Sequence, residues 1–79
     1  MSARILVVDD DRQLSEMLGM VLHGEGFLTE HAVDGTEAVE RFQSMRPDLV
    51  LLDLMLPGID GIEVCSQIRA ESGVPIIML

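Results

Sequence analysis

The chain contains no lysine; its five basic residues are all arginine, set against 14 Asp and Glu for a net charge of −9 over 79 residues. Binding to a phosphate backbone draws on clustered Lys and Arg. This balance therefore argues against nucleic acid as a direct partner of the segment. Cysteine is nearly absent too. Cys65 stands alone, which excludes an internal disulfide and a cysteine-based zinc site. It falls inside a helical pattern and reads as a small core residue, in keeping with a reducing, cytoplasmic setting. No N-terminal apolar stretch resembles a signal peptide. The apolar runs fall short of the roughly 20 residues a membrane span needs, so no membrane partner is expected.

What remains is rich in core-forming residues. Apolar residues make up 48% of the chain, far from the composition of a disordered segment. The length allows at most one domain. Small domains bury only about 60% of their surface, so marginal stability is expected. The acidity suits a bound cation, a basic protein partner or plain solubility.

The apolar pattern changes period along the chain. Residues 4–8 are continuous and β-branched, as in a strand buried on both faces. Leu14, Met17, Leu18, Val21 and Leu22 then form one helical stripe, ended by Gly24 and Gly26. Phe27 to Ala32 reads as a second strand, and Thr29, Glu30 and His31 mark it as an edge. A second helix opens at Asp34-Gly35-Thr36-Glu37, turns Ala38, Val39, Phe42 and Met45 inward, and stops at Pro47. Residues 49–53 make a third strand. A third helix opens at Asp60-Gly61-Ile62-Glu63, with Ile62, Cys65 and Ile68 expected inward, and ends at Ser72-Gly73. Residues 75–79 begin a fourth strand. The two Asp-Gly-x-Glu segments read as shared helix-capping chemistry.

This βαβαβαβ order predicts an α/β fold: a doubly wound parallel sheet with right-handed crossovers. In such sheets the functional edge lies beyond the strand C-terminal ends, where strand order reverses. The first and third strands should flank that point. Asp9-Asp10-Asp11 ends the first and Asp53 ends the third. Helix capping is the better account of Asp34 and Asp60, and as good an account as any for Asp11 or one of its two neighbours. It fails for Asp53, because Leu54-Met55-Leu56-Pro57-Gly58 reads as extended chain and then a turn.

Two carboxylates about 4 Å apart repel by about 4 kcal/mol at an effective dielectric near 20. Domain stability is only about 5–15 kcal/mol, so converging carboxylates call for a shared proton or a cation. Oxygen-only ligands suit Mg2+ or Mn2+. An Asp carboxylate is also a competent nucleophile for an aspartyl-phosphate. Arg12 is the only basic residue near this cluster in sequence.

Four segments together resemble the receiver domain of two-component response regulators. They are Ile5-Leu6-Val7-Val8-Asp9-Asp10-Asp11, Arg46-Pro47-Asp48-Leu49-Val50-Leu51-Leu52-Asp53, Leu56-Pro57-Gly58-x-Asp60-Gly61 and Val74-Pro75-Ile76-Ile77-Met78-Leu79. The wording is closest to the OmpR/PhoB subfamily. The resemblance implies a CheY-like, flavodoxin-like fold, here incomplete: strands 1–4 and helices 1–3, without the fifth strand and last two helices. Residues 1–79 would be the N-terminal two-thirds of a receiver, with a winged-helix DNA-binding domain in the full-length parent. It implies Asp53 as phospho-acceptor, and Mg2+ (or Mn2+) on Asp10, Asp53 and the Met55 backbone carbonyl, with Asp9 assisting through water. Pro57 and Gly58 would shape the loop after the acceptor. The donor would be a sensor histidine kinase. The family's switch Thr or Ser and its Lys have no counterpart within these residues. The reaction would be self-catalysed phosphotransfer in signalling, not ordinary enzyme turnover.

A receiver ending at residue 79 should leave the face beside the first helix uncovered and residues 76–79 as an apolar edge, a route to a homodimer or strand-exchanged oligomer. The competing reading is an assembly module that uses the fold without phosphorylation. A haloacid-dehalogenase-type phosphohydrolase would need a second Asp where Met55 stands. A dinucleotide-binding fold would need Gly-x-Gly-x-x-Gly after the first strand.

Overall fold

The centre of the molecule is β1 (Arg4–Val8), whose Ile5, Leu6, Val7 and Val8 are all buried. A strand with no exposed apolar position must have partners on both sides and cover on both faces. In the computed structural model, which describes residues 2–56 and 58–79, it has neighbours on both sides. The four-stranded sheet runs in the order β2-β1-β3-β4 and is parallel throughout. Here β2 is Leu28–Ala32, β3 is Leu49–Leu52 and β4 is Ile76–Met78. Val8 lies opposite Ala32 on one side and Leu52 on the other. The chain therefore reverses its winding between β1 and β3, as the element order predicts.

Three helices connect the strands: α1 (Arg12–Gly24), α2 (Gly35–Met45) and α3 (Gly61–Glu71). Each starts on an aspartate whose side chain accepts from a backbone amide three residues on: Asp11 from Leu14, Asp34 from Glu37 and Asp60 from Glu63. The capping reading of those residues holds. The reciprocal arm does not form. Glu37 lies 3.9 Å from Arg41, and Glu63 accepts from Gln67. The end of α2 is a left-handed Arg46, with φ 49, immediately before Pro47.

The main core lies on one face of the sheet. Leu6, Val8, Ala32, Val50 and Leu52 meet Ala38, Phe42 and Met45 of α2 and Val64 and Ile68 of α3 there. The expected inward set of α3 needs correction. Ile62 is 71% exposed, Cys65 is half-buried at the flank, and Gly61, Val64 and Ile68 face in. Gly61 is pressed against the backbone of Asp53 and Leu54, so positions 61, 64 and 68 take the inner side and 62 rotates outward.

The other face carries α1. A side chain added at Gly19 would come 3.5 Å from Thr29 Oγ1, which places α1 over the face of β2 opposite to Ala32. The expected stripe is only partly covered. Leu14, Leu18 and Leu22 are half-buried, Met17 and Val21 are 56% and 60% exposed, and the buried residue of this helix is Ser15. The small residues Ser15 and Gly19 let the helix settle on the sheet, and the larger apolar ones flank that contact. At the far edge, Ile77, Met78 and Leu79 are exposed as expected, whereas Ile76 is half-buried against the main core.

Candidate functional site

Backbone bonds tie the C-terminal end of β1 to β2 on one side and to β3 on the other. The amide of Asp9 donates to Ala32 O at 3.0 Å, and that of Asp53 donates to Val8 O at 2.9 Å. Both aspartates thus sit just past the ladder, where the chain leaves the sheet. Strand 3 ends at Leu52, one residue earlier than the 49–53 expected from sequence.

Asp9, Asp10 and Asp53 each bring one carboxylate oxygen to within 4.8 Å of the others. Asp9 is buried, Asp53 half-buried and Asp10 exposed. At this separation, each pair costs about 3–4 kcal/mol at an effective dielectric near 20. Two short bonds orient the group without neutralising it. The amide of Asp11 donates to Asp9 Oδ1, and the amide of Met55 donates to Asp53 Oδ1, each at 2.9 Å. Among the described residues, the side-chain ion pairs are those of Arg41 with Glu30 and Glu37, away from the cluster. Among the described residues no basic side chain pairs with the three carboxylates. Hard oxygen donors converging on one point, with nitrogen and sulfur ligands absent from the group, suit a hard divalent cation.

The loop after Asp53 carries the remaining expected residues. Met55 is 84% exposed and turns its amide toward Asp53. Gly58 has φ 76, a left-handed backbone that a residue with a Cβ rarely adopts. Pro57 lies outside the described residues. The loop returns to α3 through a bond from the Gly61 amide to Leu54 O at 3.2 Å. Reading the two Asp-Gly-x-Glu segments as caps left out their glycines, both buried against this loop. The available signal was the recurrence of glycine at the first helical position, where capping alone does not require it.

The response regulator receiver domain family matches residues 5–79. The DNA-binding response regulator MtrA of Mycobacterium tuberculosis is 63% identical over 79 residues, covering all of this chain and 35% of that protein. The transcriptional regulatory protein ResD of Bacillus subtilis is 49% identical over 76 residues, covering 96% of the chain and 32% of that protein. The chain thus spans about a third of the length of these curated relatives. Among solved structures, the BeF3-activated N-terminal receiver domain of RstA from Klebsiella pneumoniae superposes with a TM-score of 0.90 at 33% identity, over 95% of this chain and 64% of that one. The N-terminal domain of a response regulator receiver protein from Methanoculleus marisnigri gives 0.91 at 33% identity, over 96% and 64%. Sheet order and sequence agree: this chain belongs to the response regulator receiver domain family and has the CheY-like flavodoxin fold.

Proposed function

We propose that Asp53 accepts a phosphoryl group from a phosphohistidine on a sensor histidine kinase. The observation that carries this is the convergence of Asp9, Asp10 and Asp53 within 4.8 Å, with no basic side chain paired to them among the described residues. Asp10, Asp53 and the Met55 carbonyl would hold Mg2+ or Mn2+, with Asp9 assisting through water. Bound there, the cation would offset the carboxylate charge and that of the phosphoryl oxygens. A carboxylate oxygen of Asp53 forms the new bond to phosphorus. The phosphorus–nitrogen bond breaks, and the imidazole nitrogen keeps the electron pair and takes a proton. The Met55 amide donates a hydrogen bond to Asp53 Oδ1, which leaves the other carboxylate oxygen for attack. Gly58, and Pro57 with it, would set the path of the loop around the acceptor.

In the whole protein, residues 1–79 would form the N-terminal two-thirds of the receiver, controlling a DNA-binding output domain in the cytoplasm. The DNA-binding output follows the relatives' names as DNA-binding or transcriptional regulators. No described helix is long and apolar enough to cross a membrane. Incubation with acetyl phosphate and Mg2+ should label the chain, and Asp53→Asn should abolish the label. Labelling that persists in Asp53→Asn would overturn the assignment.

One observation favours a second reading for the segment by itself. The exposed Ile77, Met78 and Leu79 at the β4 edge would support a homodimer or strand-exchanged oligomer, an assembly module independent of phosphorylation.

A further inference from the structure

The segment from Asp53 to Asp60 must hold the proposed acceptor in place, although β3 ends at Leu52. Two glycines touch it, each the first residue of a helix. A Cβ at Gly61 would come 2.7 Å from Leu54 Cα and 2.8 Å from Asp53 O. A Cβ at Gly35 would come 2.6 Å from Ile59 O, 2.8 Å from Ile59 Cβ and 2.9 Å from Val64 Cγ2. These separations are shorter than real Cβ contacts. Neither glycine has a positive φ, so backbone freedom does not explain the residue type. Space does. Gly24, Gly26, Gly58 and Gly73 have nothing within 4 Å of the corresponding position.

Each contact point is itself fixed. Asp34 accepts from Glu37 at 2.8 Å and Asp60 from Glu63 at 2.9 Å, which anchors the first turns of α2 and α3. We propose that Gly35 and Gly61 are positioning residues of the acceptor site. They clamp the two ends of the loop by direct approach, Gly61 on the Asp53–Leu54 backbone and Gly35 on Ile59. The recurring Asp-Gly-x-Glu is then one device used twice: the aspartate fixes the helix start, and the glycine lets that start press on the loop. The inference rests on Asp53 being the acceptor.

The test compares Gly35→Ala and Gly61→Ala with Gly24→Ala, at a temperature where each variant is folded by circular dichroism. With acetyl phosphate and saturating Mg2+, the two clamp variants should label at least about tenfold more slowly, because small displacements of reacting groups are costly. The Gly24→Ala chain should label at the wild-type rate. In metal-free buffer, Gly61→Ala should shift the amide resonances of Asp53, Leu54 and Met55, which Gly24→Ala should not. Folded clamp variants with wild-type labelling and wild-type shifts would overturn the proposal. If the wild-type chain takes no label, the acceptor reading fails, and the metal-free shifts alone decide the clamp. If a clamp variant does not fold, hydrogen exchange on the unsubstituted chain decides. The Gly61 amide should exchange about a hundredfold more slowly than an unstructured peptide, and exchange at the unstructured rate would contradict the clamp.

Discussion

The amide of Asp53 donates to the carbonyl of Val8 at 2.9 Å, one step beyond the last paired residue of β3. This single bond holds the third strand's end level with that of the first, and so sets Asp53 against Asp9 and Asp10. The carboxylates are neighbours because the sheet is parallel and β1 and β3 are adjacent. An antiparallel pairing would have put them at opposite ends.

The same proximity has an energetic consequence. In metal-free buffer, Asp53→Asn should stabilise the chain by about 1–2 kcal/mol, since the amide keeps an oxygen for the Met55 bond and removes the repulsion. The discount from the full Coulomb value reflects the exposure of Asp10. Urea unfolding measures it, and a loss of stability would contradict the charge argument.

The orientation of α3 is tested at Ile62, with Phe42 of α2 as the buried reference. Phe42→Ala removes a side chain 1% exposed in the main core and should cost about 3–5 kcal/mol. Ile62→Ala alters a side chain 71% exposed and should change stability by no more than about 0.5 kcal/mol. A large cost at Ile62 would return that residue to the core.

Ser15 is the buried residue of α1, and its hydroxyl has no hydrogen-bond partner. Ser15→Ala removes that uncompensated group and improves helix propensity. It should raise stability by about 0.5–1.5 kcal/mol, read as a higher melting temperature.

The β4 edge is where self-association should act. Ile77 is 49% exposed next to Met78 and Leu79. Ile77→Lys should shift the chain toward monomer in light scattering, because a lysine on an open edge disfavours strand addition. An unchanged mass distribution would place any association elsewhere.

Much of this architecture was legible because the signals were local. The apolar run 5–8, the two Asp-Gly starts and the stop at Pro47 mark elements without reference to the rest of the chain. The convergence of Asp9, Asp10 and Asp53 was legible as well, since it needs only parallel order and strand-end positions. The inward face of α3 was not. Positions 62, 65 and 68 and positions 61, 64 and 68 both fit helical spacing, and the choice is made by the approach of Gly61 to Asp53 and Leu54. The clamp glycines stayed hidden for the same reason, because a close approach between distant backbones leaves no periodicity in the sequence. The stripe of α1 is legible as apolar from its spacing, and the exposure of Met17 and Val21 agrees with the uncovered face expected beside this helix.

The most direct measurement is a titration of the chain with Mg2+ alone, followed by amide chemical shifts. The account predicts saturable shifts concentrated at Asp9 to Asp11 and Asp53 to Met55, lost in Asp53→Asn, with the rest of the sheet unmoved. Shifts spread over the acidic surface, or an unaltered response in Asp53→Asn, would contradict it.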